Sequence, residues 1–363
     1  VEAGEVRTVR DFEALASDRL GPVHYDYFAG GAEDEVTLRA NEAAFARTAL
    51  LPRVLRGAAP PRLDTTLLGC PASMPVLVAP TAFHRLADPD GERATARAAA
   101  AAGAIMIAAM ASTVAIEEVA AAAAGAAADP VLWFQLYVQP DLEFTEFLVR
   151  RAEAAGCRAL VVTADSPALG HSDRNDRNDF HDLPAGLRCE NLRDPRSGAT
   201  GHVRDIAMSP ALSWWHLDWL RGITELPIVL KGVLHPEDAR RAVDAGIAGL
   251  LVSNHGGRQL DGVPATLDVL PSIADTVAGR LPVLLDGGVR RGTDVVKALA
   301  LGADAVAVGR PVVWGLAAAG EAGVRRVLEL LRTELAHTLT LCGYDSPRGP
   351  DRDLVLRRGG ALW

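Results

Sequence analysis

The sequence predicts an α/β fold, a single (β/α)8 TIM barrel over residues 1–363. An N-terminal helical segment at 1–75 and a lid loop at 170–210 after strand four accompany it. Three observations predict this. Short apolar runs recur about eight times, each followed by a helical pattern, in a chain of 363 residues, the signature of this barrel. The runs lack strict alternation, as parallel strands buried on both faces do. Polar side chains gather just past the runs, on the carboxyl face where such barrels carry their sites. A doubly wound sheet is the alternative built from similar units.

The elements follow in order. Residues 1–75 read as helical, with turns at AGGAEDE and GAAPPR. The strands then read Val76–Pro80, Ala104–Ala109, Val131–Tyr137, Ala159–Asp165, Pro227–Gly232, Gly249–Asn254, Pro282–Gly288 and Ala305–Arg310. Stretches between them, such as DLEFTEFLVRRAEAAG and PEDARRAVDAG, carry the period of amphipathic helices. From Ala98 to Ile116 no residue is charged, and the run is long enough to span a bilayer. It is mostly alanine, Gly103 interrupts it, and Arg97 and Glu117 flank it. It therefore reads as a helix end, a buried strand and a helix start. Residues from Gly170 to Pro210 are rich in Gly, Pro, Asp and Arg. A loop this long is usually functional or disordered, and its place after strand four makes a lid the functional reading.

Composition narrows the function classes. The chain is 49% hydrophobic and 23% charged, in the range of soluble globular proteins. Net charge is −9 with no long run of like charge, which argues against a nucleic-acid surface. No basic start followed by an apolar stretch marks a signal peptide. Cys70, Cys157, Cys189 and Cys342 are scattered without metal spacing. The expectations are a reducing, cytoplasmic location, no metal and no membrane partner.

The strand ends carry the chemistry. Thr81, Gln135, Tyr137, Thr163, Asp165, Lys231, Ser253, His255, Arg258, Asp286, Arg290 and Arg310 all stand there. DGGVRRG follows strand seven and opens a helix; Gly309 and Arg310 follow strand eight. Glycines let backbone N–H groups approach a phosphate, and a helix N-terminus favours an anion. The loops after strands seven and eight are the usual phosphate site of this barrel. Spacing alone allows a sugar phosphate or a flavin mononucleotide. Lys231 keeps an aldolase or isomerase reading open at this point.

The segments YDYFAGGAEDE, PTA, FQLY, TADSPALG, LKGV, SNHGGRQLDG, DGGVRRGTDVVKALALGADAV and GRPVVWGLAAAGEAGV occur in this order. With them the chain resembles the FMN-dependent L-2-hydroxy acid oxidase and dehydrogenase family, and within it the bacterial mandelate or 4-hydroxymandelate oxidases. The resemblance runs from about residue 10 to 345 and implies FMN as cofactor. Pro80, Thr81, Ala82 and Ala109 would line the flavin. Gln135, Thr163 and Ser253 would bond its polar edge, and Lys231 would stand on its N1–C2 carbonyl side. Asp286, Gly287, Gly288, Val289, Arg290, Gly309 and Arg310 would hold ribityl chain and phosphate.

For the reaction, the resemblance makes His255 the base and Asp165 its orienting carboxylate. Arg258 and Tyr27 would bind the substrate carboxylate, and Tyr137 the substrate hydroxyl. A small-molecule 2-hydroxy acid and O2 would be the partners, and relatives imply a homo-oligomer, a tetramer. An inactive flavin-binding relative is the non-enzyme alternative, against which intact His255, Arg258 and Asp165 argue. Two departures stand out. Arginines usual after PxLG are replaced by His171 and Ser172, with Arg174 near enough in sequence to substitute. Ala109 and Ala111 stand where relatives carry a serine and a tryptophan. Ala111 leaves room for an aryl group, and Phe83 would supply an apolar contact. Mandelate-like substrates are expected, with lactate or glycolate and another electron acceptor as alternatives.

Overall fold

Eight apolar segments pair in parallel and close on themselves. They are β1 Val76–Val78, β2 Met106–Ala108, β3 Leu132–Leu136, β4 Leu160–Thr163, β5 Ile228–Val233, β6 Gly249–Val252, β7 Val283–Leu285 and β8 Ala305–Val308. The barrel order is sequential, with β8 paired to β1. This computed structural model describes residues 3–194 and 202–357. Seven of the predicted runs contain their strands, each strand being shorter because its polar end turns into the loop that follows; β5 instead extends one residue past its run, to Val233.

The apolar runs hide a period of two. Leu77, Ile107, Trp133, Val161, Val229, Leu251, Leu284 and Ala307 share one cluster inside the barrel. Their neighbours, such as Val78, Phe134, Val162 and Leu250, pack outward against the helices. Alternate Cβ atoms point to opposite faces, so both faces being apolar erases the alternation from the sequence. Continuing the inner series by two residues reaches Ala79, Ala109, Gln135, Thr163, Lys231, Ser253, Asp286 and Gly309. Four residues on, it reaches Thr81, Ala111, Tyr137, Asp165 and His255. The expected site residues are thus the top layers of the barrel's own interior.

Eleven helices surround the strands among the described residues: α1 Val9–Ala29, α2 Val36–Arg47, α3 Gly91–Ala101, α4 Ile116–Ala124, α5 Leu142–Ala154, α6 Asp173–Arg177, α7 Trp214–Ile223, α8 Pro236–Asp244, α9 Thr266–Val277, α10 Gly292–Ala300 and α11 Arg310–Cys342. The Ala98–Ile116 run is divided as expected into the end of α3, β2 and the start of α4. No described helix is long and apolar enough to cross a membrane.

The N-terminal segment is helical only to Arg47. A Thr8–Asp11 capping box starts α1, and Val9, Phe12, Ala16 and Leu20 bury its inner face. Gly21, at φ +66, and Pro22 kink it. Beyond α2 the helical expectation fails. Thr48–Leu50 pairs antiparallel with Val355–Arg357, and Thr65–Leu67 pairs with Cys70–Ala72. That hairpin buries Leu67, Cys70 and Ala72 against the barrel interior, a contact that local sequence does not announce.

Candidate active site

Three strand ends meet at one imidazole. His255 Nδ1 lies 2.9 Å from Asp165 Oδ1, and its Nε2 lies 3.3 Å from the Tyr137 hydroxyl. Burial raises the Asp165 carboxyl, but the charges of His255 and Lys231 and bonds from His255 and Ser166 outweigh it and hold it well below the usual range. An ionised Asp165 accepts, so Nδ1–H donates and Nε2 is the ring nitrogen that faces Tyr137. Burial, with Asp165 and Tyr27 nearby, pushes the Tyr137 phenol up, so it stays a donor. The result is an imidazole poised to take a proton at Nε2.

Backbone shape puts it there. His255 has φ +59, followed by Gly256 at +64 and Gly257 at +74. A non-glycine residue in the left-handed region costs about 1–3 kcal/mol and persists only where its surroundings hold it. The His255 N–H donates to Ser253 Oγ at 3.1 Å, and Asn254 exchanges amide bonds of 2.9 and 2.8 Å with Asn41 of α2. On the adjacent strand β5, between those leading to Asp165 and His255, Gly232 has φ +103, and a Cβ there would lie 2.6 Å from Asp165 Cβ.

Beside the imidazole stands a cation on an aromatic wall. The Arg258 guanidinium lies 5.0 Å over the Tyr27 ring, and its Nη1 donates to the carbonyls of Tyr27 at 2.7 Å and Gly30 at 3.0 Å. Tyr27 stacks on Phe83 at 5.6 Å and touches Phe180 at 5.1 Å. The Phe83 N–H donates to the Ala111 carbonyl at 3.2 Å, so the small residue borders the aromatic rim. Arg174 does not replace the missing arginines. Its guanidinium is engaged by Glu35 at 2.7 Å and Asp26 at 3.0 Å, which pin α6 to the N-terminal segment. α6 and a strand pair, Arg193–Asp194 with His202–Val203, lie within 170–210; residues 195–201 lie outside the described residues.

The layer beneath offers polar groups aimed at a large ligand. Gln135 donates to Thr163 Oγ1 at 3.0 Å and accepts from the Met110 N–H at 3.1 Å, which fixes the amide's orientation. Lys231 is 4% exposed, with Asp286 at 3.9 Å. Burial pushes the Asp286 carboxyl up although Lys231 pulls it down, and its Oδ1 is buried without a partner. That orphan acceptor suits a ribityl hydroxyl. Thr81 shares a short bond with His84 Nε2, and Pro80 and Ala82 flank it.

A phosphate fits the end of the same row. Gly287 and Gly288 have φ +92 and +89, and a Cβ on Gly288 would lie 2.5 Å from the Asn41 carbonyl. Arg290 is 7% exposed, pairs with Glu42 at 3.0 Å and leaves a buried Nε unpartnered. α11 begins at Arg310 with Gly309 as its cap, so a helix N-terminus stands at the end of β8. Burial and the like charges of Arg258 and Arg290 push the Arg310 guanidinium down to about 9. An anion among these cations relieves that repulsion. The donors, the orphan carboxylate oxygen and the glycine cradle together fit FMN.

Several working residues escaped the sequence reading. Ser166 donates to Asp165 Oδ1 at 3.0 Å; its place in TADS was its only signal. Phe180 had none beyond lying in the lid. Asn191 donates to the carbonyls of Ala109 and Met110, 82 and 81 residues away, and nothing local marks it.

The chain matches the family model described as FMN-dependent dehydrogenase over residues 16–357. It is 47% identical over 367 residues to glycolate oxidase 5 of Oryza sativa subsp. japonica, covering 99% of this chain and 98% of that protein. It is 48% identical over 342 residues to L-lactate oxidase of Nostoc sp., covering 92% and 93%. A crystal structure of mandelate oxidase with (S)-2-phenylpropionate superposes with a TM-score of 0.86 at 44% identity, covering 94% of this chain and 96% of that one. An imidazole–carboxylate pair beside a buried lysine at the mouth of this barrel, in a chain similar to such relatives over nearly its whole length, has one reading: the protein belongs to the FMN-dependent dehydrogenase family, as an FMN-dependent (S)-2-hydroxy-acid oxidase.

Proposed function

We propose that the protein oxidises an aryl 2-hydroxy acid of the (S)-mandelate or (S)-4-hydroxymandelate type to the 2-keto acid, with O2 as terminal acceptor and H2O2 as product. The observation that carries the aryl reading is Ala111, a small residue bonded through its carbonyl to Phe83 on the Tyr27–Phe83–Phe180 wall. Aromatic edges and faces pair favourably with a phenyl ring, and a methyl side chain leaves the volume one needs.

In this reading Arg258 binds the substrate carboxylate, with Tyr27 beside it. Tyr137 donates to the substrate hydroxyl oxygen. The substrate gives up two electrons and two protons: His255 Nε2 takes one proton, the other leaves with the electron pair to the acceptor, and Asp165 holds the imidazolium that results. FMN, when bound, supplies the two-electron acceptor; Gln135, Thr163, Ser253 and Lys231 hold its polar edge, with Pro80, Thr81, Ala82 and Ala109 against the ring. Asp286, Gly287, Gly288, Val289, Arg290, Gly309 and Arg310 hold its ribityl phosphate arm.

Glycolate and lactate are the competing substrates, favoured by the relatives that carry those names. Anaerobic mixing with (S)-mandelate, (S)-4-hydroxymandelate, lactate and glycolate, followed by oxygen, separates the readings through the flavin spectrum. Ala111→Trp sharpens the test. Overpacking a tight site costs about 1–3 kcal/mol, roughly 5- to 150-fold in kcat/KM. That loss is expected for mandelate and not for glycolate. An equal loss on both substrates removes Ala111 from the side-chain pocket.

A further inference from the structure

We propose that the Arg310 guanidinium is a positioning residue for the substrate end of the site, holding Arg258 and the His255 turn in place, in addition to the charge and helix N-terminus it brings to the phosphate end. The proposal rests on reading Arg258 as the carboxylate clamp.

Arg310 opens α11 at the end of β8, yet its side chain spans to two other segments. Nε donates to the Phe28 carbonyl at 2.9 Å and Nη2 to the Gly30 carbonyl at 2.7 Å. Both carbonyls belong to the end of α1, which also carries Tyr27. Nη1 donates to the Gly256 carbonyl at 2.8 Å, on the residue after His255. A Cβ on Gly256 would lie 2.8 Å from that Nη1, so the turn is shaped around the arginine. The same Gly30 carbonyl accepts from Arg258 Nη1 at 3.0 Å. One backbone oxygen therefore joins the two guanidiniums.

This geometry uses what arginine alone offers. A planar fork with five N–H groups in fixed directions reaches three carbonyls at once. A lysine keeps the charge and loses the fork. The α1 end and the turn after β6 are 226 or more residues apart in sequence, and Arg310 bonds both. Loss of the fork frees the Phe28 and Gly256 carbonyls, leaves the Gly30 carbonyl to Arg258, and lets the Arg258 platform shift against the imidazole.

The test is a double-mutant cycle read by ligand binding. Phenylglyoxylate, an unreactive 2-keto acid, is titrated into FMN-saturated protein and its Kd read from perturbation of the flavin spectrum. Wild type, Arg310→Lys, Arg258→Met and the double variant are compared, and FMN affinity is measured separately by fluorescence quenching. Arg310→Lys is expected to weaken phenylglyoxylate about tenfold, in line with leaving buried carbonyls unpaired. It should change FMN affinity less than about threefold, because the charge and the helix N-terminus remain. In the Arg258→Met background the same substitution should cost almost nothing, since it acts through Arg258. Equal cost in both backgrounds, or an unchanged Kd on FMN-saturated Arg310→Lys, overturns the proposal and leaves the clamp standing. Wild-type binding by Arg258→Met overturns the clamp itself. If Arg310→Lys does not fold, Arg310→Gln enters the same cycle at saturating FMN with the same expected pattern for phenylglyoxylate, while its FMN affinity is expected to fall with the lost charge.

Discussion

His255 is held by groups on four sides: Asp165 on Nδ1, Tyr137 on Nε2, Ser253 on its N–H, and the left-handed turn of its own backbone. His255→Ala is expected to retain FMN and lose about 100- to 10,000-fold in the rate of anaerobic flavin reduction, the usual contribution of a general base. Near-normal reduction would remove it from that role. Asp165 gives the pH dependence. Its carboxyl is held below the ordinary value near 3.9, chiefly by His255 and Lys231 against the opposing effect of burial. A depressed native value means that the stabilisation is fully present above the unfolded value and lost as pH falls toward the native one. The stability gap between wild type and Asp165→Asn, measured by urea unfolding, should be constant from pH 8 to about 5 and narrow below about pH 4. A gap that widens on acidification would contradict this sign.

At the level of elements, α2 supports both working loops of the barrel. Asn41 exchanges amide bonds with Asn254 in the His255 turn, accepts from the Thr266 N–H at 3.4 Å, and packs against Gly287 and Gly288. Both amides are buried, and removing Asn41 strips Asn254 of two bonds, leaving it the Pro264 carbonyl and the Gly257 N–H, at a cost of about 1–3 kcal/mol. Asn41→Ala is expected to lower the melting temperature and weaken FMN, because the glycine cradle loses its backing. Thermal unfolding with an FMN titration checks both; loss of stability with unchanged FMN affinity would confine Asn41 to the His255 turn.

For the whole molecule, cofactor and fold are linked. Lys231, Asp286, Arg290 and Arg310 are brought together by three strand ends, those of β5, β7 and β8, so only the closed barrel presents them to FMN. A ligand bound by the native state alone stabilises it by about 2.7 kcal/mol at a free concentration one hundred times Kd. Differential scanning calorimetry of apoprotein should show the transition rising with FMN. Denaturation of the purified protein should release FMN and not FAD, since the phosphate site lies at the barrel rim with no dinucleotide fingerprint in the sequence. Recovery of FAD would contradict it.

The barrel was legible in the chain because burial on both strand faces writes continuous apolar runs, and each run ends where its inner face turns polar. Lys231, His255 and the start of the DGGVRR loop were legible for the same reason: the chemistry sits two or four residues beyond a core position; Arg258 was legible from its place beside His255 in SNHGGRQLD. The strand pair Thr48–Leu50 with Val355–Arg357 was not, since its partners lie at opposite ends of the chain. Nor were the Asn41–Asn254 amide pair, the Asn191 bonds to Ala109 and Met110, or the engagement of Arg174 by Glu35 and Asp26. A hydrogen bond has no period. Residue type and spacing determined which groups this protein brings to the barrel mouth; which partners they find, and so which arginines remain for a substrate, was decided only by closure of the barrel.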